Sequence, residues 1–216
     1  MKRRKKAVGL LVVAAVMLLT ACKMSPEEVG TYAQSILDAS YKADFDEYTE
    51  QTDSTKEEAE NLYENNIDQM MTIAGYDSAG LSDELLDNYR QLFKDMLALA
   101  EYEVGEVTEE EDGSFTVAVT AKPLTAFEGL EAEVTEAVQA ELAGITDVSQ
   151  IPGEDEINQM VFQKMYEGLQ SRMESPTYGE PQQVDLHVAA DSDNVYSVAE
   201  SDLTALDQIL FPTEGF

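Results

Sequence analysis

The residues able to do chemistry are few in kind. His187 is the only histidine, so a Ser–His–Asp relay would have to centre on it. It alternates with Val184, Leu186 and Val188 and shares the opposite face with Asp185, which is the pattern of a solvent-facing histidine on a half-buried strand. One histidine and one cysteine exclude multi-histidine and cysteine-cluster metal centres, and an intrachain disulfide as well. Paired carboxylates can run glycoside hydrolysis, but 44 acidic residues pair everywhere by chance and there is no Trp to build a sugar platform. Asp191-Ser192-Asp193-Asn194 begins like a calcium loop. Val195, Tyr196 and Asp202 then stand where the third ligand, the glycine and the distal acid belong, so a hairpin turn is expected. Glu109-Glu110-Glu111-Asp112 is a second acidic corner, suited to no more than weak calcium binding. Gly75, Gly80, Gly105 and Gly113 stand singly, so no phosphate-cradling loop is present. Met70, Met71, Met96, Met160, Met165 and Met173 fall at helical spacing and are expected in the core, with an adaptable groove as the other option.

The remaining candidate is Cys22, and what precedes it gives it a role. Lys2, Arg3, Arg4, Lys5 and Lys6 form a cationic head, and Ala7 to Leu19 is an uncharged apolar run. As a helix that run spans about 20 Å, well short of a ~30 Å hydrocarbon core, so it reads as the apolar region of a signal peptide. Leu19-Thr20-Ala21-Cys22 follows at once. This stretch resembles the lipobox of bacterial lipoproteins. The resemblance implies that the Cys22 thiol takes a diacylglyceryl group and that a dedicated peptidase, accepting small Ala21, cuts just before it. Residues 1–21 are then a leader, 22–26 a lipidated tether and 27–216 an acidic extracytoplasmic domain. A chance cysteine in an ordinary secreted protein, or an uncleaved N-terminal helix, would not require head, run, lipobox and lone cysteine to coincide. Acyl chains contributing about 0.8 kcal/mol per buried CH₂ convert marginal association into stable anchoring.

Charge narrows the partners. Loss of the five-residue basic head leaves 8 basic against 44 acidic residues, a formal balance of −36. Such a surface repels nucleic acid, whose binding needs Lys and Arg on phosphates. It also disfavours adhesion to anionic lipid, so a covalent anchor is the physically sensible way to stay there. High charge of this kind speaks first to solubility, and then to attraction of cations or basic partners.

Periodicity then gives the elements. Ser25-Pro26-Glu27-Glu28 is a capping box with Pro at the first helical position, followed by Val29, Tyr32, Ala33, Ile36 and Leu37 on one face up to Tyr41-Lys42. Residues 43–52 suggest a short turn or helix buried through Phe45 and Tyr48. Ser54 to Glu57 is expected to cap a second long helix, with Ala59, Leu62, Tyr63, Ile67, Met70 and Met71 inward and a stop at Gly75. Ser82 opens a third. The period then falls to two: strands are expected before and after an Asp112-Gly113 turn, the second over 114–122. Helices are expected over 127–143 and 154–174, separated by a 144–153 loop. A strand pair on either side of the Asp191 turn comes next, and residues 201–211 close the chain as a short helix or an extended tail. The class is α+β, amphipathic helices packed on an antiparallel sheet.

Leu37 to Tyr48 is similar to a stretch found in small lipoproteins of Firmicutes, where a helix ends in a Tyr-Lys-Gly-Asp corner; here Ala43 takes the glycine's place. That family resembles cystatin-like or NTF2-like domains, helices on one curved sheet. It implies the outer face of a Gram-positive cell membrane and carries no active-site motif to map. The expectation is a non-enzymatic lipoprotein, without cofactor or metal, whose domain binds an envelope protein or a small ligand. A carboxylate hydrolase and a structural surface spacer are the alternatives.

Overall fold

The computed structural model describes residues 17–18, 23–145, 152–192 and 194–213. Apart from Met17 and Leu18, the expected leader and the lipobox residues Leu19, Thr20, Ala21 and Cys22 lie outside these, as do Asp193 and the middle of the 144–153 loop.

Helix α1, Pro26–Lys42, starts where the sequence places it: the Ser25 hydroxyl accepts from the Glu28 amide, and the Glu28 carboxylate accepts from the Ser25 amide at 2.7 Å. Helix α2 is Asp46–Thr52 and α3 is Lys56–Ile73. The α3 box is one residue later than expected, Thr55 with Glu58, because Thr55 is the residue with extended backbone before the first turn. Leu62, expected inward, is exposed; the buried stripe runs through Ala59, Tyr63, Ile67, Met70 and Met71. A 3₁₀ turn at Tyr76–Ser78 leads to α4, Asp83–Ala98, capped by Ser82. Helix α5 is Leu130–Ala143, shorter than expected at its start. Gly129 turns left-handed there, and Leu124 and Phe127 enter the core from an irregular segment, where the Leu124 amide donates to the Leu210 carbonyl. Helix α6 is Glu154–Met173, and the C-terminus is the helix α7, Glu200–Leu210.

One antiparallel sheet holds these together. Strands β2 (Glu101–Glu109), β3 (Phe115–Lys122), β4 (Gln182–Ala190) and β5 (Val195–Val198) lie in the spatial order β5-β4-β3-β2, with the two-residue strand β1, Met17–Leu18, beside β5. The fold is therefore α+β with an antiparallel sheet, as the periods predict. Phe115, Val117, Val119 and Ala121 of β3 and Leu186 and Val188 of β4 face inward and are fully buried against α1 and α7. The inward side chains of β3 and β4 are close-packed, and a groove of about 460 Å³ remains between α1 and β2, lined by Glu27, Thr31, Gln34, Val104, Gly105 and Val107. The opposite sheet face, with Thr116, Thr120, Gln183, Asp185 and His187, is open. All six methionines named above are buried or packed against the core, which settles them as packing residues.

Ala43 has φ 51°, a left-handed cap position that favours glycine. A Cβ there is strained by roughly 1 kcal/mol. Ala43→Gly should therefore stabilise the protein by about that much, read as a rise in urea midpoint at unchanged slope.

Candidate functional site

The two ends of the sheet differ. At one end lie the β2–β3 and β4–β5 hairpins and the start of α1; at the other lie the first residues of β2 and β4, the end of β3 and the end of α1.

The hairpin end receives the tether. Met24 is 3% exposed and its amide donates to the Tyr196 hydroxyl at 3.4 Å, while Tyr32 of α1 donates to the Tyr196 carbonyl at 3.0 Å. The Lys23 ammonium pairs with Glu109 and sits 5.8 Å from the centroid of Phe115. Residues 23–26 of the expected tether are thus held against the body. Glu110, Glu111, Asp112, Ser114, Thr116 and His187 line a shallow depression at this end.

His187 does face a carboxylate, but not the one its strand suggests. Asp202, from the first turn of α7, places Oδ2 at 2.7 Å from His187 Nδ1 and accepts the His187 amide at 2.8 Å with the same oxygen. Sequence reasoning named Asp185 because it shares the strand face; Asp202 is 15 residues away and reaches the ring only because α7 folds back on β4. Thr116 is the cross-strand partner of His187, yet its hydroxyl donates to Glu110, and Ser114 donates to Asp112. Ser201 donates to Asp202 itself, so these three nearby hydroxyls all donate to carboxylates. The Asp191 turn is the hairpin turn expected: the Asp191 carboxylate accepts from the Val195 amide at 3.0 Å, and Asn194 takes φ 59°. No group of three or more metal-ligating side chains is found among the described residues.

Two clefts meet at the far end. A cleft of about 560 Å³ opens between α1, α3 and α4, lined by Tyr41, Lys42, Phe45, Tyr63, Lys94 and their neighbours. A second, about 360 Å³, is lined by Lys42, Glu101, Tyr102, Thr120, Lys122 and Pro181. Lys42 belongs to both. Its ammonium lies 4.9 Å from the Tyr102 ring centroid, and it is the one cation among the described residues with no carboxylate in ion-pair range. Lys94 is paired with Glu64 at 2.5 Å and Lys122 with Glu101 at 2.6 Å. The surroundings are therefore amphiphilic: an aromatic wall, one uncompensated cation and exchangeable ion pairs. The composition of the sequence did not single this region out, because its members come from five separate elements, α1, α3, α4, β2 and β3.

Behind the cleft wall is a buried polar chain that the sequence did not reveal. Tyr41 donates to Asp207 Oδ1 at 2.7 Å, and Tyr102, its ring tilted 51° against that of Tyr41 at 5.5 Å, donates to Asp38 at 2.6 Å. Asp207 is 2% exposed, and its Oδ2 has no partner among the described residues. Burial pushes its carboxyl up to about 8, against the lowering effect of the Tyr41 hydroxyl, so near neutrality it is mostly protonated. Burial likewise holds the Tyr41 phenol well above its ordinary range.

No helix among the described residues is long and apolar enough to cross a membrane. No protein-family model matches this chain, and no curated protein does. Among solved structures, the fold is similar to that of YcdA, a Bacillus subtilis protein provisionally classed as a lipoprotein. The TM-score is 0.56 at 14% identity, over 86% of this chain and 57% of that one. The chain thus corresponds to little more than half of YcdA's length, and at this identity what the two share is the fold.

Proposed function

We propose that this protein is an extracytoplasmic lipoprotein, held at the outer face of the cell membrane by acyl chains on Cys22, whose α+β body is a non-enzymatic binding domain for an envelope partner or a small ligand. One observation carries the reading: Leu19-Thr20-Ala21-Cys22 directly after a cationic head and a short apolar run. Likeness in fold to a protein classed as a lipoprotein supports it. The clefts that meet at Lys42 are the binding region this reading favours.

Cys22→Ala should move the protein from the membrane fraction to the soluble or unprocessed pool and abolish incorporation of labelled fatty acid. Equal partitioning of variant and wild type, or an unmodified thiol by intact mass, would refute the anchor.

The His187–Asp202 contact favours a second reading, an envelope hydrolase. It ranks lower because the neighbouring hydroxyls are committed to carboxylates and Asp202 has a structural duty, tying α7 to β4. Turnover by the lipidated protein that disappears in His187→Ala would reverse the ranking.

A further inference from the structure

We infer that the hairpin end of the sheet is the membrane-proximal face of the protein, with the body standing upright on an anionic lipid surface and the Lys42 clefts at its outer pole; this rests on the lipid-anchor reading of Cys22. The geometry follows from the absence of slack. Met24 is buried and hydrogen-bonded to Tyr196, Lys23 is paired with Glu109, and Ser25 already caps α1. A residue two positions before Met24 lies within about 7 Å of it along the chain. Any acyl chain on Cys22 therefore enters the bilayer beside the β2–β3 hairpin, whose Gly113 would place a Cβ 3.6 Å from the Lys23 ammonium.

A single anchor point fixes which end is near, but leaves the body free to tip. Charge removes that freedom. The body carries 44 acidic residues against 8 basic ones, and seven of those eight basic residues are already paired with carboxylates. Laid on its side, it would bring carboxylates along its whole length within about 8 Å of anionic headgroups, a Debye length at physiological salt, whereas upright only those of the hairpin end, Glu110, Glu111 and Asp112 among them, come so near. The tether pulls one end down and the charge pushes the remainder away. Along β4, from Ala190 near the anchor to Gln182 at the far end, the strand spans roughly 27 Å. The second cleft, lined by Pro181 and Lys122, sits at that far end. The surface offered to other molecules is consequently the helix and cleft end, and what docks there must approach from outside the cell.

The chain contains a single cysteine, so an added one is a clean reporter once Cys22 is acylated. Glu111→Cys and Ala190→Cys place a fluorophore at the hairpin end, and Gln182→Cys places it at the far end; all three side chains are exposed. Each full-length protein, processed by its own pathway, is reconstituted into phosphatidylglycerol–phosphatidylethanolamine vesicles carrying a headgroup nitroxide. The expected result is loss of most emission at 111 and 190, and no loss beyond a vesicle-free control at 182. Equal quenching at both ends, or stronger quenching at 182, overturns the orientation. Intact mass and dye stoichiometry separate that failure from a failure of the anchor: an unacylated Cys22 shows the bare thiol mass and takes up a second dye.

Discussion

Between pH 5 and pH 9 the folded protein should lose about 4 kcal/mol of stability through Asp207 alone, and Asp207→Asn should remove that loss. Asp207 lies on α7 with Tyr41 of α1 hydrogen-bonded to it, the Tyr102 ring of β2 tilted against Tyr41, and Asp38 accepting from Tyr102. Two influences act on it: burial, which raises its carboxyl to about 8, and the Tyr41 hydroxyl, which lowers it. In the unfolded chain it titrates near 4. Below that value both states are protonated and no penalty exists. Between about 4 and 8 the folded state keeps a proton that the unfolded state has released, so stability falls as pH rises; above about 8 the penalty is constant. Asn preserves the acceptor for Tyr41 but puts an amide NH₂ where Oδ2 has no partner, at a cost of roughly 1–3 kcal/mol. The variant should therefore be a little less stable than wild type at pH 5 and more stable, by roughly 2–4 kcal/mol, at pH 9. Self-repulsion within so acidic a body also changes with pH, but it is common to both proteins, so their difference isolates the one carboxyl. Urea denaturation at the two pH values measures it, and parallel pH slopes for the two proteins would refute the assignment.

That residue also marks the limit of what the sequence disclosed. Element order, the helix starts at Ser25 and Ser82 and the switch from period 3.6 to period 2 near Glu101 were legible, because each depends on neighbours within one turn or one strand. The α+β class followed from them. Asp207 was invisible for the opposite reason. In a chain with 44 acidic residues, an Asp among Leu206, Gln208 and Ile209 looks like any polar position, and it is buried because α7 folds onto the sheet beside Tyr41. Asp202 was missed likewise: its ring partner is close in space but 15 residues away in sequence. Leu62 failed in the other direction, since an apolar residue at correct helical spacing still faces solvent when the packed stripe is narrow. The α5 start was misplaced because Leu124 and Phe127 are buried by an irregular segment, which mimics the inward face of a helix. The lipobox is legible only as sequence; no packing bears on it.

Phe115→Ala should be the most damaging single truncation at the hairpin end, costing about 3–5 kcal/mol, while Phe115→Leu should cost under half as much. Phe115 opens β3, is fully buried, stands across from Val188 on one side and Glu109 on the other, and lies 6.3 Å from the Tyr196 ring. Removing its ring withdraws apolar contact from three strands at once and leaves a void that a sheet backbone cannot close. Against a typical total of about 5–15 kcal/mol, such a loss brings the fold close to its threshold. The local consequence is more specific. The ring supports both Tyr196, which receives the Met24 amide, and the Lys23 ammonium, so its loss frees the segment that seats the anchor. At a temperature where Phe115→Ala is still folded, limited proteolysis should therefore cut at Lys23 far faster than in wild type, and Phe115→Leu should fall between the two. Val119→Ala, further along the same strand and comparable in cost to Phe115→Leu, should leave Lys23 as protected as in wild type. If every destabilised variant opens at Lys23 in proportion to its lost stability, the tether is released by global unfolding and the local role assigned to Phe115 is wrong.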